Sequence, residues 1–298
     1  MRISVFIPTF HGPGGDAGLG RRLAWIGRAA EKAGAAGIWL NDHLWQIPTF
    51  GDPTEPVPES YTALGFLAAV TEKLELGTLT TGATYRHPGL LLKIVSTLDA
   101  LSGGRAWLGI GPPWHEEEQR AFGIPVPPWP ERFARLTETL QLARQVWGGD
   151  MGAFHGEHYR LDGPVLRPPP VRPPPILIGG AHERRVLRLV ARYGDACNLF
   201  EDGGPDLVRL KLDLLRKYCD EVGRDFDDIT RTSFGRLELA GRADVETAVS
   251  RLRVLAGLGI DLAIVAPPDP LEPRWYALLE SVVDTAAGFA SVGRNVHV

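Results

Sequence analysis

Short β-branched or aromatic runs alternate along the chain with stretches of helical spacing. Runs of the first kind fall at residues 3–9, 37–41, 74–81, 105–111, 176–179, 195–200, 230–235 and 261–266. Between them, segments such as LAWIGRAAEKAG repeat apolar positions at three and four, with Leu23, Ile26, Ala30 and Ala33 on one face, and stop at Gly34. That is the period and the terminator of an amphipathic helix. The runs ILIG and LAIVA are apolar without alternation, which suits parallel strands covered on both faces. Strand then helix, eight times over, predicts an α/β fold of the (β/α)8 TIM-barrel type. A doubly wound sheet shares the alternation but places its cofactor on a GxGxxG turn, and no such turn follows the first run.

The fourth and fifth runs are separated by far more chain than the others. That connection holds WHEEEQRAFG, a helix-like RFARLTETLQLARQVW and the segment FHGEHYRL, which predicts an insertion with a hairpin between strands 4 and 5. VLRPPPVRPPP then reads either as a stiff lead-in to the fifth strand or as a linker between domains. A chain of 298 residues fits one barrel with an insertion, so residues 1–298 are expected to form a single domain. The content, 44% hydrophobic and 23% charged, is that of a chain able to build a substantial core. Lys and Arg total 32 against 36 Asp and Glu, a net charge of -4, without the basic excess that phosphate-backbone binding requires. Nucleic acid is not an expected partner. No run approaches ~18 apolar residues, so no membrane span is expected, and MRISVFIPTFHGPGG reads as a first strand rather than a signal peptide. Cys197 and Cys219 form no CxxC, which fits a reducing, cytoplasmic setting.

Several reaction classes drop out at the level of motifs, since GxxxxGK[ST], HExxH and GxSxG are all missing. The run His115-Glu116-Glu117-Glu118 lacks a second histidine at zinc spacing. It reads as an exposed helix start, because carboxylates favour helix amino termini, and no metal is expected. Functional groups of a barrel gather at the carboxyl ends of its strands. After the second strand, Asn41-Asp42-His43-Leu44-Trp45 sets a carboxylate, an imidazole and an indole in one turn. Asp42 and His43 are candidates for proton exchange; a capping Asp42 and a structural His43 fit equally. After the third, GTLTTGATYRHP offers Thr80 and Thr81 where a planar ring could lie, or is simply a threonine-rich strand end. Pro112, Pro113 and Trp114 follow the fourth strand and bring an aromatic wall to the same rim. After the fifth, Ile178-Gly179-Gly180-Ala181 leads into a helix bearing Arg184, Arg185 and Arg188. Amides at a helix start with arginines nearby make an anion site; paired glycines also serve a tight turn.

Taken together, DHLW, LGTLTTGATYRHP with KIVSTLDALSGGR, LGIG followed by Trp and a Glu-rich turn, and PILIGG before RLVARYGDACNLF resemble the luciferase-like monooxygenase superfamily. Within it they are most similar to the coenzyme F420-dependent oxidoreductases, over almost the whole chain. The resemblance implies a barrel that binds a deazaflavin, with Asp42 and His43 beside the ring and Leu79 and Thr80 where many members place a non-prolyl cis peptide. It also implies phosphate-binding glycines at Gly179 and Gly180 and a cofactor cleft lined by Cys197 and Asn198. Trp45, Trp114 and Phe200 are then expected to enclose a small organic substrate, with His43 relaying its proton. Two departures stand out: His182 replaces a further glycine after Ala181, and Trp114 takes a place that a catalytic glutamate fills in a sugar-phosphate-oxidising branch. The same residues suit FMN in a two-component monooxygenase or a non-catalytic flavin-binding barrel. A homodimer is expected by the same resemblance.

Overall fold

The computed structural model describes residues 1–180 and 182–289. In chain order its first half comprises β1 (Arg2–Ile7), α1 (Leu19–Lys32), β2 (Gly37–Leu40), α2 (Ser60–Val70), β3 (Glu75–Thr78), β4 (Thr81–Gly82), α3 (Pro88–Ser102), β5 (Leu108–Gly111), α4 (Glu116–Ala121) and α5 (Trp129–Trp147). There follow β6 (Phe154–His155), β7 (Arg160–Leu161), β8 (Ile176–Ile178), α6 (Glu183–Tyr193), β9 (Ala196–Phe200), α7 (Gly204–Val222), β10 (Thr230–Arg236), α8 (Arg242–Gly257), β11 (Leu262–Ala266) and α9 (Pro273–Ala287).

The parallel sheet runs β3-β2-β1-β11-β10-β9-β8-β5-β4. Its two ends, β3 and β4, are halves of the single third run predicted above, parted at a cis peptide between Leu79 and Thr80. Because β3 pairs with β2 while β4 pairs with β5, one broken strand joins both ends of the sheet and closes it into a barrel. A bridge between Leu76 and Ala106 reinforces the seam. This closure rules out the doubly wound alternative. Gly34 ends α1 as expected, with φ 76° and its N–H on the Glu31 carbonyl, the left-handed stop that glycine takes without strain.

Strand alternation sorts the core into two layers. Inside the barrel lie Phe6, Trp39, Trp107, Leu177, Ala196, Leu262 and Ile264; between strands and helices lies a larger cluster that includes Val5, Ile38, Leu108, Ile178, Cys197 and Val265. Trp39 and Trp107 meet edge to face at 5.6 Å. Gly77 makes room for them, since a Cβ there would stand 2.6 Å from the Trp39 ring.

The expected insertion lies between β5 and β8, with β6 and β7 forming its antiparallel hairpin. The proline-rich stretch is not a linker. The Val171 N–H donates to Asp99 Oδ2 at 2.7 Å and Arg172 Nε to the Gly104 carbonyl at 2.8 Å, and the strand that follows pairs inside the same sheet. No helix among the described residues is long and apolar enough to cross a membrane.

Candidate active site

The carboxyl ends of the strands open into a cavity of about 490 Å³. Asp42, His43, Leu79, Thr80, Trp114, Gly180, Asn198 and Phe200, all singled out in the sequence, border it. The rims of the second, third and fifth barrel strands therefore do converge. A larger groove of about 580 Å³ between α1 and α9 holds none of these residues.

Four expected residues lie elsewhere. Ile178 and Cys197 point outward into the helix layer, because consecutive strand residues face opposite sides and their neighbours Leu177 and Ala196 fill the interior. Burial pushes the Cys197 thiol up to about 12. Thr81 turns toward α2, where its hydroxyl bonds Tyr61 Oη at 2.7 Å and Thr78 Oγ1 at 2.9 Å. Trp45 leaves the cavity to its neighbours: its indole N–H reaches His115 Nδ1 at 3.3 Å and its ring meets Phe122. Gly179 stands just behind the lining, where a Cβ would touch Asn198 and Thr80 at 3.4 Å. Ala181 lies outside the described residues.

Asp42 is buried and both its oxygens are engaged by Arg86, at 2.6 and 3.0 Å. Arg86 also bonds Glu59 and lies over the Tyr61 ring. Burial disfavours the Arg86 charge, but the Asp42 carboxylate outweighs it and the guanidinium is held above its ordinary pKa. The expected role of Asp42 in proton exchange is accordingly narrowed, since no oxygen is left without a cation.

His43 has a different partner, one the sequence reading misassigned. Its Nδ1 lies 2.8 Å from Oε2 of Glu118, whose side chain is fully buried. Glu118 also accepts from the Tyr85 hydroxyl at 2.7 Å and from the Leu44 N–H. Burial alone would push this carboxyl up; the bonds from His43, Tyr85 and Leu44 outweigh it and hold the pKa below the ordinary value. The Tyr85 phenol moves the other way, raised by burial and by the Glu118 charge. Only part of the Glu-rich run is the exposed helix start expected: Glu117 is exposed while Glu118 and Gln119 are buried. The second histidine absent from the local spacing arrives from the loop after β2. His43, His115 and Glu118 bring ligand atoms within 4.8 Å of one another, although the ring nitrogens facing this cluster are already hydrogen-bonded to Glu118 and Trp45.

The loop carrying Trp114 and α4 is fixed from below by Arg132 of α5. This buried guanidinium bonds the carbonyls of Pro127 and Pro113, at 2.7 and 3.0 Å, and the Glu116 carboxylate at 2.5 Å.

A flat heterocycle with amide edges fits the remaining polar groups. Both polar atoms of the Asn41 carboxamide are buried at the cavity without a protein partner, a costly condition unless a ligand supplies a donor and an acceptor. Asn198 holds its oxygen against Thr232 Oγ1 at 2.9 Å, which leaves its amide hydrogens for the cavity. Gly180, at φ 112°, adopts a conformation that side chains rarely take and stands 3.4 Å, as judged from a Cβ, from Pro112. Of the arginines expected near an anionic tail, Arg185 stacks on Phe133 and Arg188 on Tyr218. Arg184 has no ion-pair partner among the described residues.

The profile described as luciferase-like monooxygenase matches residues 1–279. The F420-dependent glucose-6-phosphate dehydrogenase of Nakamurella multipartita is 32% identical over 258 residues, covering 86% of this chain and 74% of the relative. Its namesake from Kineococcus radiotolerans is 30% identical over 293 residues, covering 91% and 84%. In fold, the chain is similar to an F420-dependent secondary alcohol dehydrogenase in complex with an F420-acetone adduct. The TM-score is 0.77 at 17% identity, with 96% of this chain and 99% of the other aligned.

Proposed function

Because the chain belongs to the luciferase-like monooxygenase family, we propose that it is an oxidoreductase transferring a hydride between coenzyme F420 and a small organic substrate. The observation that carries this reading is the meeting of Asp42, His43, Leu79, Thr80, Gly180 and Asn198 around one cavity, with the Asn41 carboxamide left unsatisfied beside them. The F420-dependent relatives support the choice of cofactor. When bound, F420 supplies a two-electron hydride carrier. Asn41, Asn198 and the Leu79–Thr80 backbone would hold its ring, with Asp42 fixed beside it by Arg86, and Gly179, Gly180 and Arg184 would serve its anionic tail.

The protein contributes pose and proton handling. With Glu118 accepting from Nδ1, the neutral form of the His43 imidazole carries its hydrogen on Nδ1, and Nε2 is then the atom that accepts a substrate proton. Trp114, Phe200 and Phe234 give the cavity aromatic faces against which a substrate can be posed. The reading also includes a cytoplasmic setting, supported by the unpaired, buried Cys197 and Cys219, and a homodimer, which sedimentation tests.

The deciding experiment titrates the protein side by side with F420, FMN and nicotinamide cofactors while following tryptophan fluorescence. F420 is expected to quench and saturate at one site per chain. Saturable FMN binding coupled to oxygen consumption, with no response to F420, overturns the proposal.

A further inference from the structure

The cavity's lining says what kind of substrate it admits. Phe6, Phe50, Phe200 and Phe234 pack ring against ring as one apolar wall, and Ile47 and Trp114 add apolar surface to the same cavity. Among the described residues, the lining contains a single arginine, Arg236. Its guanidinium donates to the Thr49 carbonyl at 3.0 Å and lies 6.0 Å above the Phe50 ring. Asp202 shares that rim, and Asp42 lies deeper. Arg86, which reaches the cavity only through Asp42, is already committed to Asp42 and Glu59.

A sugar phosphate, the substrate in the names of the two curated relatives above, brings a doubly charged group and several hydroxyls. Recognition of such a group uses forked arginines or clustered cations, and each hydroxyl buried without a partner is costly. For charge recognition this cavity offers one rim arginine against two carboxylates; of its neutral polar side chains, Asn41 and Asn198 are assigned to the cofactor ring and the Tyr85 hydroxyl is held by Glu118, which leaves Thr49 and Thr80 beside the aromatic surface. Its volume, toward the small end for ligand sites, must also receive the cofactor ring, so the substrate is small. His43 is the polar group placed to meet a single oxygen.

We infer that the substrate side of this cavity selects an uncharged small molecule with an aromatic or cycloalkyl ring and one hydroxyl or carbonyl oxygen, and rejects sugar phosphates. The inference rests on the F420 reading for its cofactor but on the apolar wall for its selectivity. The two can be separated.

Calorimetry with 1-phenylethanol, acetophenone and glucose 6-phosphate, run on the protein with and without F420 and at low and high salt, tests it. The aryl probes are expected to bind at least ~30-fold tighter than the sugar phosphate, with little salt dependence because no ion pair is made. Phe50→Ala and Trp114→Ala, at partly exposed loop positions, should each weaken aryl binding by about 10-fold. Turnover in the loaded enzyme should follow the same order. Glucose 6-phosphate binding as tightly as the aryl probes in a salt-sensitive manner, or no aryl binding at all, overturns the inference. Failure of F420 to bind while the aryl preference persists in the protein alone overturns the cofactor reading instead.

Discussion

Replacing Glu118 by Gln keeps the shape of the buried side chain and removes its charge, which makes it the sharpest probe of the His43 pairing. The carboxylate now accepts from His43, Tyr85 and Leu44 at once. An amide has one acceptor oxygen, and its NH2 must face an acceptor. If the amide nitrogen meets His43, the imidazole shifts to the Nε2–H tautomer and loses the lone pair assigned to the substrate proton. Loss of a positioned acid or base costs about 10²–10⁴ in rate, so kcat should fall in that range, with KM changed far less. His43→Ala should fall comparably, and the double variant should be little worse than either, because the two side chains act as one unit. Stability carries a second signature. Bonds to a buried charge are worth about 1.5–3 kcal/mol each, and losing one of them should lower Tm by several degrees. The Glu118 pKa is depressed below its ordinary 4.5, so its contribution is complete above that value and is lost as pH falls through the lower folded value. The stability gap between wild type and Glu118→Gln should thus be constant near neutrality and close in acid. Steady-state kinetics and thermal melts across pH read both effects. Wild-type kcat in Glu118→Gln, together with a gap that persists in acid, would refute the pairing.

Asn41→Leu removes the two orphaned polar atoms, so F420 affinity should fall about 10-fold or more while Tm holds or rises; fluorescence titration and a melt check the opposite signs. Gly77→Ala drives a Cβ to within 2.6 Å of the Trp39 ring in the barrel interior and should cost about 1–3 kcal/mol by overpacking, seen in denaturant unfolding. Cys197, with its thiol pushed up to about 12 by burial, should resist thiol reagents in the native protein at neutral pH and react on unfolding, which mass spectrometry after timed labelling detects.

Apolar periodicity made the barrel legible in the sequence, because eight buried strands and the helices that cover them write their periods directly into it. The break within the third strand was not legible from spacing, since nothing in LGTLTTG itself distinguishes an unbroken strand from one with a cis bond; only the family resemblance pointed to Leu79–Thr80, where the cis peptide lies. Assigning both Cys197 and Asn198 to one cleft overlooked strand alternation, which allows the cleft one of the two; the interior took Asn198. Glu118 escaped because its partner lies 75 positions upstream, beyond any local spacing rule. A signal was nevertheless present: EEEQRA has no apolar face of its own, so any side of that short helix that packs inward must bury polar groups and find them partners. In the sequence Asn41 is only the start of a turn rich in functional groups; its lack of hydrogen-bond partners in the fold is what marks it as a site in its own right.

Arg132 grips Pro113 and Glu116 from beneath, and the stretch between and just beyond them carries both Trp114 and Glu118. The aromatic surface that meets the substrate and the carboxylate that sets the imidazole's protonation are thereby mounted on a common bracket. Any lengthening of this loop to admit bulkier molecules would disturb proton handling as well. Variation in what such an enzyme accepts should therefore be easier to obtain across the cavity, at Phe50 or Phe234, than at the tryptophan itself.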